Sequence, residues 1–156
     1  MKIGFNEAND RFCKDHSVMK DLEYCEKYGF DYIDIQSECL NRDLEAGKIT
    51  LEEMGEWFKN HHLKMLSYNA LCFFNMKQTQ EEKDAVMAEL DEIIRRCDIL
   101  GCKMIVVVPS KDMKERGLTP TRKEIREDAV AVLKEMVKKC EPHGIKLSLE
   151  FCGEPA

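Results

Sequence analysis

The sequence predicts an α/β fold of four βα units followed by a fifth parallel strand. Three observations carry this. Short apolar runs of strand length alternate with longer segments whose apolar residues recur at helical spacing. A similar joint recurs where each helix gives way to a strand: Gly29-Phe30-Asp31-Tyr32-Ile33, His62-Leu63-Lys64-Met65-Leu66, Gly101-Cys102-Lys103-Met104-Ile105 and Gly144-Ile145-Lys146-Leu147. The joints lie about 33 to 43 residues apart, one βα unit each. The run Met104 to Val108 is apolar throughout and rich in β-branched residues, as a strand buried on both faces of a parallel sheet should be.

The first strand is expected from Lys2 to Asn6, followed by a polar loop, Ala8 to Asp15. Ser17 is the expected N-cap of a helix reaching Tyr28, with Val18, Leu22, Cys25 and Tyr28 as its buried stripe and Gly29 as its stop. Tyr32 to Gln36 is the second strand. Thr50 opens the next helix with Glu53 at capping-box spacing, and Leu51, Met54, Trp57 and Phe58 form its apolar face up to about His61. Lys64 to Asn69 is the third strand, with an apolar loop, Ala70 to Asn75, after it. Thr79 and Glu82 open a long helix ending near Leu100 and Gly101. Pro109 closes the fourth strand, Thr121 and Glu124 open the fourth helix, and Gly144 precedes a fifth strand, Lys146 to Phe151. Gly29, Gly101 and Gly144 should adopt positive φ as helix stops.

At 156 residues, 44% apolar and 35% charged, the chain is read as one domain, 1–156, with the composition of a soluble globular protein. No apolar run approaches the ~20 residues of a membrane span, and the N-terminus turns polar too early for a signal peptide. The eight cysteines include no CxxC pair, so neither a zinc ribbon nor a thioredoxin motif is supported, and a reducing cytoplasm is expected. Net charge is −6 with no basic stripe, so no nucleic-acid partner and no membrane partner are expected.

Two architectures suit such alternation: part of a (βα)8 barrel, or a doubly wound sheet of the flavodoxin type. The first loop reads Asn6-Glu7-Ala8-Asn9-Asp10, with two acids and no phosphate-cradling glycine pattern, and no fifth helix follows strand five. Both features favour a partial TIM barrel. In a barrel the site lies at the C-terminal strand ends. Asn6, Glu7, Asp34, Gln36 and Asn69 sit there, as candidates for substrate hydroxyl contacts or for polar plugs of the barrel interior. Ile33 and Ile35 take the helix-facing side of strand two, which turns Asp34 and Gln36 inward. On strand five, Leu147, Leu149 and Phe151 share one face, while Ser148, Glu150 and Cys152 share the other. Glu150 therefore points toward the site. His61, His62 and His143 fall on the opposite, stability face, and His16 is read as part of a helix N-terminus. The Leu71-Cys72-Phe73-Phe74 segment either walls a pocket or covers the barrel mouth or a neighbouring subunit.

Four segments carry a family resemblance: Gly4-Phe5-Asn6-Glu7-Ala8, Leu22 to Ile33, Asn69-Ala70-Leu71-Cys72-Phe73-Phe74-Asn75, and Gly144-Ile145-Lys146-Leu147-Ser148-Leu149-Glu150-Phe151. In this order and spacing the chain resembles the xylose isomerase-like barrel superfamily, in its inosose (2-keto-myo-inositol) isomerase branch. The resemblance implies a sugar or keto-polyol isomerase or epimerase that moves a proton beside a carbonyl through an enediolate. It also implies a divalent metal (Mn, Mg, Co or Zn) held by a Glu on strand five, an Asp on strand six, a His on strand seven and a Glu on strand eight. Only the first corresponds to a residue here, Glu150, as metal ligand and catalytic carboxylate. One carboxylate does not hold a metal tightly, so this chain alone is expected to be inactive. The alternatives are a non-catalytic, self-associating half-barrel and a flavodoxin-like small-ligand binder. Unpaired strand edges, and barrel-interior side chains such as Val106 or Val107 left in water, lead to the expectation of a homodimer.

Overall fold

The computed structural model describes residues 1–111 and 113–151. Cys152, placed by the sequence on the Glu150 face, lies outside the described residues. The elements run β1 (Gly4–Asn6), α1 (Val18–Lys27), β2 (Tyr32–Gln36), α2 (Ser37–Glu45), α3 (Leu51–Asn60), β3 (Lys64–Cys72), α4 (Gln80–Leu100), β4 (Met104–Val108), α5 (Arg122–Cys140) and β5 (Lys146–Leu149). Short 3-10 turns occupy Glu7–Asn9 and Glu141–His143. The strands form one sheet in sequence order, β1-β2-β3-β4-β5. Gly29, Gly101 and Gly144 all take positive φ, at 74°, 72° and 65°. Among the described residues, no helix is long and apolar enough to cross a membrane.

The chain divides into two compact units. The first comprises residues 1–69 and 95–104. In it β2 lies between β1 and β3, both parallel to it. A doubly wound sheet of the flavodoxin type would place β1 in the middle, so this order is that of a barrel. Gly4, Phe5 and Asn6 pair with Tyr32, Ile33 and Asp34. Ile33 pairs with Met65, but the next partner of Asp34 is Ser67, so Leu66 is an extra residue in β3. Ile33 and Ile35 are fully buried in the helix-side core with Val18, Leu22, Leu40, Met54 and Leu63.

Several expected elements differ. β1 begins at Gly4, and its polar loop opens with a 3-10 turn. Ser17 holds the N-cap position of α1 with no side-chain capping bond; the Val18 N–H donates instead to Asp43 Oδ2 at 2.9 Å. Tyr28 is not part of the buried stripe. It follows the last helical residue and is 69% exposed. α2 was not anticipated, and it starts directly where β2 ends. On α3 the capping box of Thr50 and Glu53 is present. Trp57 is only half-buried and stacks on His61, with ring centroids 3.9 Å apart. The buried position next to it belongs to Gly55. A Cβ there would lie 2.6 Å from the Ile99 carbonyl oxygen, so only glycine fits without a shift.

The second unit comprises, among the described residues, 70–94, 105–111 and 113–151. Ala70 to Cys72 belong to β3, not to a loop. Leu71 and Phe74 are core residues, which leaves Cys72 as the exposed member of that segment. The chain then turns through Phe73 and Met76, both at φ 58°. Asn75, wholly buried between them, accepts the Ser110 N–H at 2.7 Å on its side chain and the Ser110 hydroxyl at 2.6 Å on its carbonyl. Val106 clusters with Ala70 and Val108, and Val107 is fully buried. Neither valine is left in water within the single chain, contrary to expectation. β5 ends at Leu149 rather than Phe151, although the Glu150 N–H still donates to the Val107 carbonyl at 3.0 Å.

Candidate functional site

In the first unit the structure brings together all five of the polar strand-end residues singled out from sequence there. Alternation along β2 puts Asp34 and Gln36 on the face opposite Ile33 and Ile35. The extra residue Leu66 then delivers Ser67 and Asn69 to that same face. Ser67 donates to Asp34 Oδ1 at 2.5 Å and the Asn69 amide donates to Asp34 Oδ2 at 3.1 Å, so both carboxylate oxygens are held. The Asn6 side-chain Oδ1 accepts from the Ala8 N–H at 2.8 Å and from the Gln36 amide at 3.4 Å. Asp34 and Gln36 are buried, Asn69 is half-buried and Asn6 is exposed. Asn6 and Asn69 therefore present the reachable amides, and the two residues between them hold those amides in place. Ser67 is a member of this layer that sequence reasoning missed. Its signal was alternation itself: Ser67 stands two residues before Asn69 and so shares its face.

Glu7 is wholly buried. Its Oε2 accepts the Gln36 N–H at 2.7 Å, while Oε1 faces His16 Nε2 at 3.2 Å. His16 Nε2 also lies 3.1 Å from Asp21 Oδ2 and 3.8 Å from Asp10 Oδ1. His16, which directly precedes the N-cap of α1 as expected, is also the buried centre of an acidic cluster. Burial pushes Glu7 up to about 8, against the pull of the Gln36 N–H. Burial and neighbouring Asp10 push Asp21 up to about 7. Burial lowers His16. Burial alone would raise Asp43, but the Lys48 ammonium at 2.8 Å and the Val18 N–H together hold it below the usual carboxylate range.

In the second unit Glu150 is exposed at the end of β5. Among the described residues, the groups of three or more His, Cys, Asp or Glu side chains close enough to share an ion are Glu7-His16-Cys39 and Asp10-His16-Asp21. Glu150 is in neither. The residues present at the end of β5 do not by themselves make a metal site. His61 Nδ1–H donates to the Trp57 carbonyl, and His62 is exposed beside Asp31, so neither approaches the polar layer.

A family model described as "Xylose isomerase-like TIM barrel" matches residues 22–156. The inosose isomerase of Bacillus velezensis is 35% identical over 156 residues, covering 99% of this chain and 52% of that protein. The inosose isomerase of Bacillus subtilis is 36% identical over 167 residues, covering 99% and 53%. The crystal structure of the IOLI protein with a binding zinc atom superposes with a TM-score of 0.85 at 35% identity, covering 99% of this chain and 53% of that one. D-psicose 3-epimerase from Clostridium cellulolyticum H10, at 16% identity and a TM-score of 0.68, shares the fold. The chain belongs to the xylose isomerase-like TIM barrel family. The flavodoxin-like alternative is thereby set aside. The chain spans about half the length of the curated relatives it matches.

Proposed function

We propose that this chain supplies the substrate-binding strand ends β1 to β3, and one carboxylate, of an isomerase or epimerase acting on a keto-polyol of the inosose type. The observation that carries this reading is the hydrogen-bonded layer Asn6-Gln36 and Ser67-Asp34-Asn69. Amides held by buried partners suit the hydroxyls of a polyol, each of which needs both a donor and an acceptor. Glu7 supports that layer through the Gln36 backbone. Isomerisation beside a carbonyl requires a base that removes a C–H proton and returns it to the neighbouring carbon. Glu150 is this chain's candidate for that carboxylate and for one ligand of a divalent metal of the Mn, Mg, Co or Zn type. Such a metal would polarise the carbonyl when bound. The remaining ligands are not among the described residues, so the chain alone is assigned no turnover and no tight metal at Glu150.

The test is a rate assay on 2-keto-myo-inositol with added divalent metal. The chain alone should be inactive. Mixed with the part of the Bacillus velezensis relative that it does not cover, it should give turnover that Glu150→Gln abolishes and Asn69→Ala slows. Turnover by the isolated chain would refute the incomplete-site reading. Failure of the mixture to act, with both parts folded and associated, would remove the inosose assignment.

A second, non-catalytic reading is self-association to a homodimer. It is favoured by the exposed Val130 and Val137 on α5, which with Leu133 line a groove of about 530 Å³, and by exposed Leu149 and Phe151. A second copy presenting the same apolar faces is the occupant this reading commits to.

A further inference from the structure

We infer that Asp10, His16 and Asp21 form a binding site for a divalent transition-metal cation of the zinc type, taking no ligand from Glu150. Glu7 Oε1, Asp10 Oδ1, His16 Nε2 and Asp21 Oδ2 are all buried atoms with no aligned hydrogen-bond partner. The side chains of Glu7, His16 and Asp21 are 0%, 1% and 6% exposed, so water does not satisfy them. Buried polar atoms without partners are uncommon in a native fold, and those of Asp10, His16 and Asp21 lie within 4.8 Å of one another and call for an occupant.

The geometry suits a metal. Ligand bonds of 2.0 to 2.2 Å in a tetrahedron put neighbouring ligand atoms about 3.4 Å apart. His16 Nε2 lies 3.1 Å from Asp21 Oδ2 and 3.8 Å from Asp10 Oδ1, and water takes the fourth position. An imidazole with carboxylates is the donor set of zinc or manganese rather than of calcium or magnesium, which prefer oxygen alone.

The surroundings hold the ligands in place. Asp21 sits in the first turn of α1. Backbone bonds from Cys13 to Asp10 and from His16 to Cys13 fold the loop that carries the other two ligands. A groove of about 330 Å³ walled by Phe5, Tyr24, Tyr28 and Phe30 is lined by Asp10 and Asp21 and provides a way in. The guanidinium of Arg42 donates to His16 Nδ1, so in the metal-free protein the neutral ring carries its proton on Nε2. Metal binding replaces that proton. The ring takes its hydrogen on Nδ1, Arg42, whose side chain is 46% exposed, turns to solvent, and any proton held on Asp21 is released.

The experiment is zinc chloride titration of the metal-stripped chain by calorimetry in two buffers of different ionisation heat, with cobalt chloride as a spectroscopic probe. A stoichiometric site is expected, with protons released, a raised Tm and the visible bands of tetrahedral cobalt. Glu150→Gln should retain it. His16→Gln and Asp21→Asn, checked for folding by circular dichroism, should each weaken it by about 100-fold or more, since loss of even an outer-shell partner costs 10- to 100-fold. Absence of zinc binding by the folded native chain would overturn the inference. So would binding that Glu150→Gln abolishes and His16→Gln leaves intact. If both substitutions destabilise the fold, the cobalt spectrum of the native chain decides, because octahedral or absent bands contradict a His-carboxylate tetrahedron.

Discussion

Asp43 shows how one residue can take over a job the local sequence assigns to another. Ser17 stands where a helix cap belongs, yet the Val18 N–H is satisfied by Asp43, from α2. Asp43 is 1% exposed and also binds Lys48. Removing it strands a buried backbone donor and a lysine partner, whereas Ser17 makes no capping bond. Asp43→Ala should therefore lower stability by about 1–3 kcal/mol, and Ser17→Ala by about 0.5 kcal/mol or less, in urea unfolding. Equal effects would show that Ser17 caps α1 in solution. The residue scale is also where sequence reading reached least far. His16 looked like a helix entrance because its partners, Glu7 and Asp21, lie nine and five residues away along the chain. Only the closing of the β1-α1 loop brings them to it.

At the scale of elements, three helices open with the same device. Thr50 with Glu53, Thr79 with Glu82 and Thr121 with Glu124 exchange side-chain and backbone bonds reciprocally. The Thr50 hydroxyl and N–H lower Glu53, the Gln78 and Thr79 N–H groups lower Glu82, and the Thr121 N–H and hydroxyl lower Glu124. A carboxyl lowered in the folded state contributes stability that is complete above its unfolded value and is lost as pH falls through its folded value. The caps should hold above about pH 5 and fail progressively below about pH 4. Tm measured across that range should fall more steeply for the native chain than for the triple variant Glu53→Gln, Glu82→Gln, Glu124→Gln. Parallel acid limbs would contradict the assignment. These boxes, the glycine stops and β2 were legible because each rests on residues close in sequence. α2 was not. Ser37 to Glu45 is mostly polar, follows β2 without a Gly or Pro boundary, and buries an acid that hydrophobic periodicity does not flag. On α3 the apolar rule favoured Trp57 for the core, but the close approach of Ile99 reserves a buried place for Gly55.

At the scale of the whole molecule, the barrel-type strand order and the family were within reach of the sequence. The βα period and the strand-end motifs survive in a chain covering half of its relatives' length. The homodimer expectation now rests on different residues. Val106 and Val107 are buried within one chain, so the apolar surface that remains in the second unit is that of α5 and the end of β5. Light scattering at micromolar concentration should report a dimer, and Val130→Glu with Val137→Glu should return it to a monomer. A monomeric native chain of 18.2 kDa that unfolds cooperatively would remove self-association from the account.

The extra residue in β3 has a consequence for tolerance of length change. Deleting one residue from a strand normally turns every later side chain to the wrong face. Leu66 is the exception in this chain. It is 42% exposed and stands between Met65, the partner of Ile33, and Ser67, the partner of Asp34. Without it the ladder would run unbroken, and Ser67, Tyr68 and Asn69 would keep their places. Deletion of Leu66 should leave a folded chain with a cooperative melt. Deletion of Tyr68, two positions on, should yield an unfolded or aggregated one. If both deletions prove equally damaging, the bulge is itself required by the strand's twist, and β3 admits no change of length.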